Sequence, residues 1–298
     1  MPRRLDHLVI CVRDLAQAER SWRKLGFNLT PTGVLPFGVS NHVAMLRDNF
    51  LELLAMTDAA AVPAAAPGRF SFAAHNQSFL AAAEGMSMLA LHSNDAHADA
   101  ARFKANGIGA YAPFDFGRDA VERAGSATLW NQAGRTVRFE FSLAFTTYPA
   151  MPGIAFFTCQ QRHPPELFWK PEYQRHPNGA LRVVEVVMSA SEPAAHRDFL
   201  ERLTESPVEL TPTQLTVGAN GDRITVLGPS EIARRLPGIV TDGSPRFCAA
   251  RLAVTDLDVT KRELERNGVD FQINDGVLLV APVAAHGLAL EFVEQGAI

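Results

Sequence analysis

Cysteine is scarce in this 298-residue chain: Cys11, Cys159 and Cys248 are the only three, far apart and in apolar surroundings. An odd, scattered set excludes a disulfide framework or a cysteine zinc centre and reads as reduced core residues of a cytoplasmic protein. Charge of one sign is also missing. A formal net charge of -4 with 20% charged residues gives no electrostatic case for nucleic acid or an anionic membrane. No apolar run approaches the roughly 20 residues that span a bilayer. The N-terminal MPRRLDHLVICV enters a strand pattern at once, so no signal peptide is expected. A glycine-rich phosphate loop, a nucleophile elbow and a Cys/His metal cluster are all absent from the sequence.

What is present is an internal repeat. LDHLVICVRDLAQAERSWRKLGFNL, residues 5–29, reads as a strand, an Asp14 N-cap, a helix with Leu15, Ala18, Trp22 and Leu25 on one face, and a Gly26 stop. Asp95, Phe103 and Gly107 repeat Asp14, Trp22 and Gly26 in register, as do Asp256, Leu264 and Gly268. A fourth copy over 181–210 has the strand and a helix from near Pro193, but no terminal glycine. Further strands are expected at Phe27–Thr30, Asn41–Leu46 and Phe50–Ala55 in the first copy. The second should have them at Ile108–Ala112, Ala127–Asn131 and Val137–Leu143. The unit is βαβββ, and one unit alone leaves a sheet face and its edges uncovered. The expected class is α+β: four βαβββ units paired into two curved eight-stranded half-barrels, with helices on the convex side. Residues 1–150 form the first domain, 151–180 a proline- and aromatic-rich structured linker, and 181–298 a second, degenerate domain.

DHLVICVRDL, the LGF after the first helix and the LELL of the fourth strand resemble the vicinal oxygen chelate superfamily, which includes glyoxalases, extradiol dioxygenases and bleomycin-resistance proteins. FFTCQQRHPPELFWKPEYQRHPNGA is similar to its uncharacterised glyoxalase-like domain proteins. The resemblance implies metal ligands on the first and last strands of two paired units. Carried over residue by residue, these are His7, Glu52 and Glu140, with Met88 where a histidine, glutamate or glutamine is usual. One imidazole and two carboxylates suit Mn, Fe, Ni, Co or Zn as the divalent ion. In the second half the matching positions fall on Val184 and Ala249, leaving Glu291 as a lone edge-strand acid near solvent. That half reads as a scaffold or dimerisation element, which allows a homodimer.

Strand alternation is consistent with this. Phe50, Glu52 and Leu54 share one face, and Leu5, His7, Val9 and Cys11 share another. In VRFEFSL the apolar Phe139, Phe141 and Leu143 are expected against the helices, with Glu140 turned into the cavity. Asn41 and His42 alternate, so only one can line the cavity; the resemblance implies Asn41 as the inward, substrate-binding member, with His42 exposed. In the linker, Trp169 is a candidate cavity wall and His176 a candidate catalytic acid/base. The expected function is a metal-dependent glyoxalase- or dioxygenase-like protein acting on a small molecule with vicinal oxygens. The alternative is a non-catalytic protein that sequesters such a molecule.

Overall fold

The computed structural model describes residues 2–64, 66–121 and 136–296. One sheet contains β1 (Leu5–Cys11), β2 (Gly33–Val34), β3 (Val39–Met45), β4 (Phe50–Met56), β5 (Gly85–His92), β6 (Phe114–Val121), β7 (Thr136–Thr146) and β8 (Ala155–Gln161). Its spatial order is β2-β3-β4-β1-β5-β8-β7-β6. The second contains β9 (Ala180–Ser189), β10 (Val208–Thr211), β11 (Gln214–Ala219), β12 (Asp222–Leu227), β13 (Arg246–Val254), β14 (Gln272–Asn274), β15 (Val277–Val280) and β16 (Ala289–Glu294). Its order, β10-β11-β12-β9-β13-β16-β15-β14, repeats the first. The helices are α1 (Leu15–Lys24), α2 (Phe72–Ala82), α3 (Ala96–Ala105), α4 (Pro165–Phe168), α5 (Arg197–Thr204), α6 (Pro229–Arg235) and α7 (Leu257–Arg266). None of the described helices is long and apolar enough to cross a membrane.

The landmarks of the repeat are its local physics. Asp14, Asp95 and Asp256 each accept a backbone N–H at the start of α1, α3 and α7. Trp22, Phe103 and Leu264 are buried beneath their sheets, and Gly26, Gly107 and Gly268 all have positive φ. The glycine-free fourth copy solves the same problem with Glu205, at φ 58, ending α5. Each unit's last strand then returns parallel to its first, as β4 does to β1 and β8 to β5.

Several expected boundaries change. Phe27–Thr30 and Ile108–Ala112 are not strands, and Ala127–Asn131 lies outside the described residues. The last strand of the second unit is β8, drawn from residues expected in the linker, whereas Val137–Leu143 belongs to β7, one strand further out. AFFTCQQ is apolar enough to be a central strand. Its buried neighbours β5 and β7 fix it there, which no local signal in a proline-rich stretch conveys.

Two glycines separate local from tertiary demands. Gly26, at φ +82, carries no Cβ where one would lie 2.7 Å from Glu263 Cγ and 2.8 Å from Asn178 Cβ. Gly107, at φ +68, has open space around it. Gly107→Ala should therefore cost about 1 kcal/mol from the left-handed backbone alone, and Gly26→Ala about 3 kcal/mol. Urea denaturation of both variants measures the difference; equal losses would mean that the linker does not press on Gly26.

The two halves are tied by a reciprocal contact. Asn49, ahead of β4, accepts from Val183 N at 2.9 Å and donates through Nδ2 to Val183 O at 2.8 Å. The related residue of the other half, Asp222 at the head of β12, accepts from the backbone N–H of Leu5.

Candidate functional site

The faces of the first sheet divide cleanly. Leu8, Ile10, Leu51, Leu53 and Ala144 pack under the helices, while Val9, Leu54, Met88, Ala90, Phe141 and Phe157 line the other side. Phe37 meets Phe114 and Phe116 at ring distances of 5.7 and 5.3 Å, drawing the outer strands together and closing the sheet toward a barrel. Inside is a cavity of about 540 Å³ including its mouth, walled by rings such as Phe50, Phe116, Phe141, Phe157 and Phe168. Its polar lining comprises His7, Asn41, Glu52, Arg118 and Cys159.

His7 is held on three sides. It stacks on Phe50 at 4.4 Å, meets Phe157 edge-on at 5.3 Å, and its Nδ1 lies 2.6 Å from Asp6 Oδ1. Adjacent side chains on a regular strand diverge. Here a register shift between Leu5 and His7 breaks the alternation, so the two side chains meet and Leu5 joins the helix side instead. A carboxylate only accepts, so Asp6 places the imidazole proton on Nδ1 and leaves the Nε2 lone pair facing Glu52, 3.9 Å from its Oε2. Asn41 Nδ2 donates to Glu52 Oε1 at 2.5 Å, fixing that carboxylate. Arg118 reaches in from β6, its guanidinium 5.3 Å from the Phe139 ring centre. Gly33 makes room for it: a Cβ there would lie 2.3 Å from Arg118 Nη1.

The structure thus assembles His7, Glu52 and Asn41 and adds Asp6 and Arg118. Arg118 was legible only as the third member of the alternating Phe114, Phe116, Arg118 face. The structure does not bring in Glu140. Phe139, Phe141 and Leu143 face the cavity, because the cavity is itself apolar. Glu140 lies on the opposite face of β7, half-exposed and 3.6 Å from Arg138. Trp169 stands in a second layer behind Phe50 and Phe168, at 6.0 and 5.3 Å. His176 is a backbone clasp: Asn28 N donates to its Nδ1 at 3.0 Å and its Nε2 donates to Met45 O at 2.8 Å. Burial pushes its pKa down to about 4, so it is a neutral structural ring with no free nitrogen for catalysis. His42 is buried as well, with Nδ1 on Thr30 O.

Ladder register shows what became of the expected ligand positions. Val9 pairs with Glu52, and Ala90, its repeat partner, pairs with Phe157. The four equivalent positions are therefore His7, Glu52, Met88 and Phe157. A thioether and a phenyl ring at two of four places, with Glu140 outside, do not make the tripod for a hard divalent cation. Asp6, His7 and Cys159 are the one group of three potential donors close together among the described residues. Asp6 and His7 are already bonded there, and burial with the charges of Asp6 and Glu52 holds the Cys159 thiol well above its ordinary range, protonated. The donors present do not fit the expected ion.

In the second half, Arg251 pairs with both Glu185 and Glu291, which makes Glu185, Thr225, Ala249 and Glu291 the equivalents. The position expected at Val184 is Glu185. Glu291 is neither alone nor near solvent, since Arg235 of α6 bridges Glu185 at 2.9 Å and Glu291 at 2.6 Å, with Arg251 on Glu291 at 3.0 Å. Burial opposes ionisation of Glu185, but the bonds and charge of Arg235 outweigh it and lower its pKa to about 2. A guanidinium from the chain itself occupies the space between these equivalents, and Ile232 and Leu236 pack with Ala249, Leu279 and Ala289 on the same face of the sheet.

The glyoxalase-like domain family model matches residues 5–204. Three solved structures share the fold. A hypothetical protein from Staphylococcus aureus has a TM-score of 0.70 at 11% identity, covering 98% of this chain and 100% of that one. A mutant of 4-hydroxymandelate synthase from Streptomyces coelicolor gives 0.60 at 14% identity, over 99% and 93%. A Mn(II)-bound glyoxalase from Novosphingobium aromaticivorans gives 0.56 at 12% identity, over 99% and 85%. Identities this low speak for the fold alone, and no curated protein matches the sequence. With more than half of its length matched and its βαβββ units paired as two half-barrels, the chain belongs to the glyoxalase-like domain family of the vicinal oxygen chelate superfamily.

Proposed function

We propose that the first half-barrel takes a small aromatic molecule with vicinal oxygens and moves a proton on it, with His7 as the base. The observation that carries this is an imidazole pinned through Nδ1 by Asp6, its free Nε2 turned toward Glu52 in a cavity walled with phenylalanine. On an α-hydroxyketone, Nε2 takes the proton from the carbon beside the carbonyl. The C–H electron pair becomes a carbon–carbon double bond, the carbonyl π pair moves onto its oxygen to give the enediol anion, and return of a proton to carbon from the imidazolium closes the cycle. Asp6 and Glu52 stabilise the imidazolium, and Arg118 faces the developing oxyanion. No oxidant enters, and no step runs through a metal.

The test uses 2-hydroxyacetophenone in deuterated buffer, followed by proton NMR. Exchange at its CH2 should exceed the buffer rate, fall about 100-fold or more in His7→Gln, and persist after chelator treatment. Exchange that chelation abolishes and Mn²⁺ restores would instead establish the metal-dependent reading. Binding without exchange would establish sequestration, which the apolar Met88 and Phe157 favour.

A further inference from the structure

We infer that the cavity selects an uncharged ligand, one whose hydroxyl donates to Glu52 while its neighbouring carbonyl accepts from Arg118. This rests on the reading of the first half-barrel as the ligand site and goes on to name the ligand's charge class. The argument is a count of charges in an apolar enclosure. Asp6 and Glu52 are both buried, and among the described residues the one guanidinium lining the cavity is Arg118. His7 is bonded to Asp6, so its charge, present or absent, belongs to that pair. The polar floor is therefore neutral or carries one excess negative charge. A carboxylate or phosphate entering it would lack an unspent cation and would be desolvated among phenyl rings, where an unpaired charge is costly.

Glu52 and Arg118 come from opposite sides of the closed sheet, β4 and β6, and make no ion pair with each other within 4.0 Å among the described residues. They attract across the cavity without touching. Asn41 occupies Oε1 of Glu52, leaving Oε2 to accept from a ligand hydroxyl. Arg118 has only donors to offer, and Gly33 lets its head group into the seam between β2 and β6. A donor and an acceptor on adjacent ligand atoms satisfy both groups without adding charge.

Calorimetry with 2-hydroxyacetophenone and with mandelate, which keeps the ring and a hydroxyl but carries a carboxylate, tests this on the wild-type protein. The neutral compound should bind at least tenfold more tightly. Glu52→Gln, which removes one negative charge at constant shape, should shrink that ratio about tenfold by improving mandelate. Equal or tighter wild-type binding of mandelate would overturn the charge assignment while leaving the cavity as the ligand site. Failure of both compounds to bind at millimolar concentration would overturn both.

Discussion

Asp222→Asn should stabilise the protein at pH 8 by on the order of 2–4 kcal/mol and change it little at pH 4. Asp222 sits at the junction of the two halves. It accepts from the Leu5 N–H and Arg182 reaches it, but Arg182 is shared with Asp48, and Oδ2 of Asp222 has no partner. Burial outweighs the attraction of Arg182 and, with the charge of Asp48, raises the Asp222 pKa from 3.8 to about 7. The sign follows. Below the unfolded value both states are protonated and the contribution is fully present. Between there and about pH 7 only the unfolded state ionises, so stability falls, and above pH 7 the loss is complete. Asparagine does not ionise, and the related residue Asn49 already shows that an amide satisfies this kind of junction with both its donor and its acceptor. Thermal unfolding of both proteins from pH 4 to 8 checks it. Only their difference matters, which removes oppositely signed contributions such as that of Glu185. Parallel profiles would refute a protonated Asp222.

Asp6→Asn should slow the proposed exchange by about 10²–10⁴-fold while leaving ligand affinity nearly unchanged. The amide can turn its NH2 toward His7 Nδ1, which moves the ring proton to Nε2, the nitrogen that must accept. Shape and packing on Phe50 and Phe157 are retained, so a loss confined to rate identifies the tautomer as the cause. Nitrogen NMR of the His7 ring reads the proton position directly. Unchanged exchange in a folded variant would exclude His7 as the base.

How much of this was legible in the sequence depends on the range of the forces involved. Asp14, Trp22 and Gly26 and their repeats determined the βαβββ units, because caps, helical spacing and positive φ are settled within a few residues. The alternation in NFLELLAM set Glu52 opposite the wholly apolar Leu51, Leu53 and Ala55, and that in the first strand grouped His7 with Val9 and Cys11; Asn41 came from the family resemblance. The tertiary structure decided the rest. Alternation divides a strand into two faces without saying which one is inside. In VRFEFSL both the cavity and the helix layer could take phenylalanines, and only closure of the sheet turned Phe141 inward and Glu140 out. Pairing between distant strands placed Phe157 opposite the repeat partner of Val9. It likewise set Arg235 between Glu185 and Glu291, and a register shift beside Leu5 brought Asp6 onto His7. These contacts join residues with no fixed sequence separation, so their energies appear only once the strands have found their neighbours.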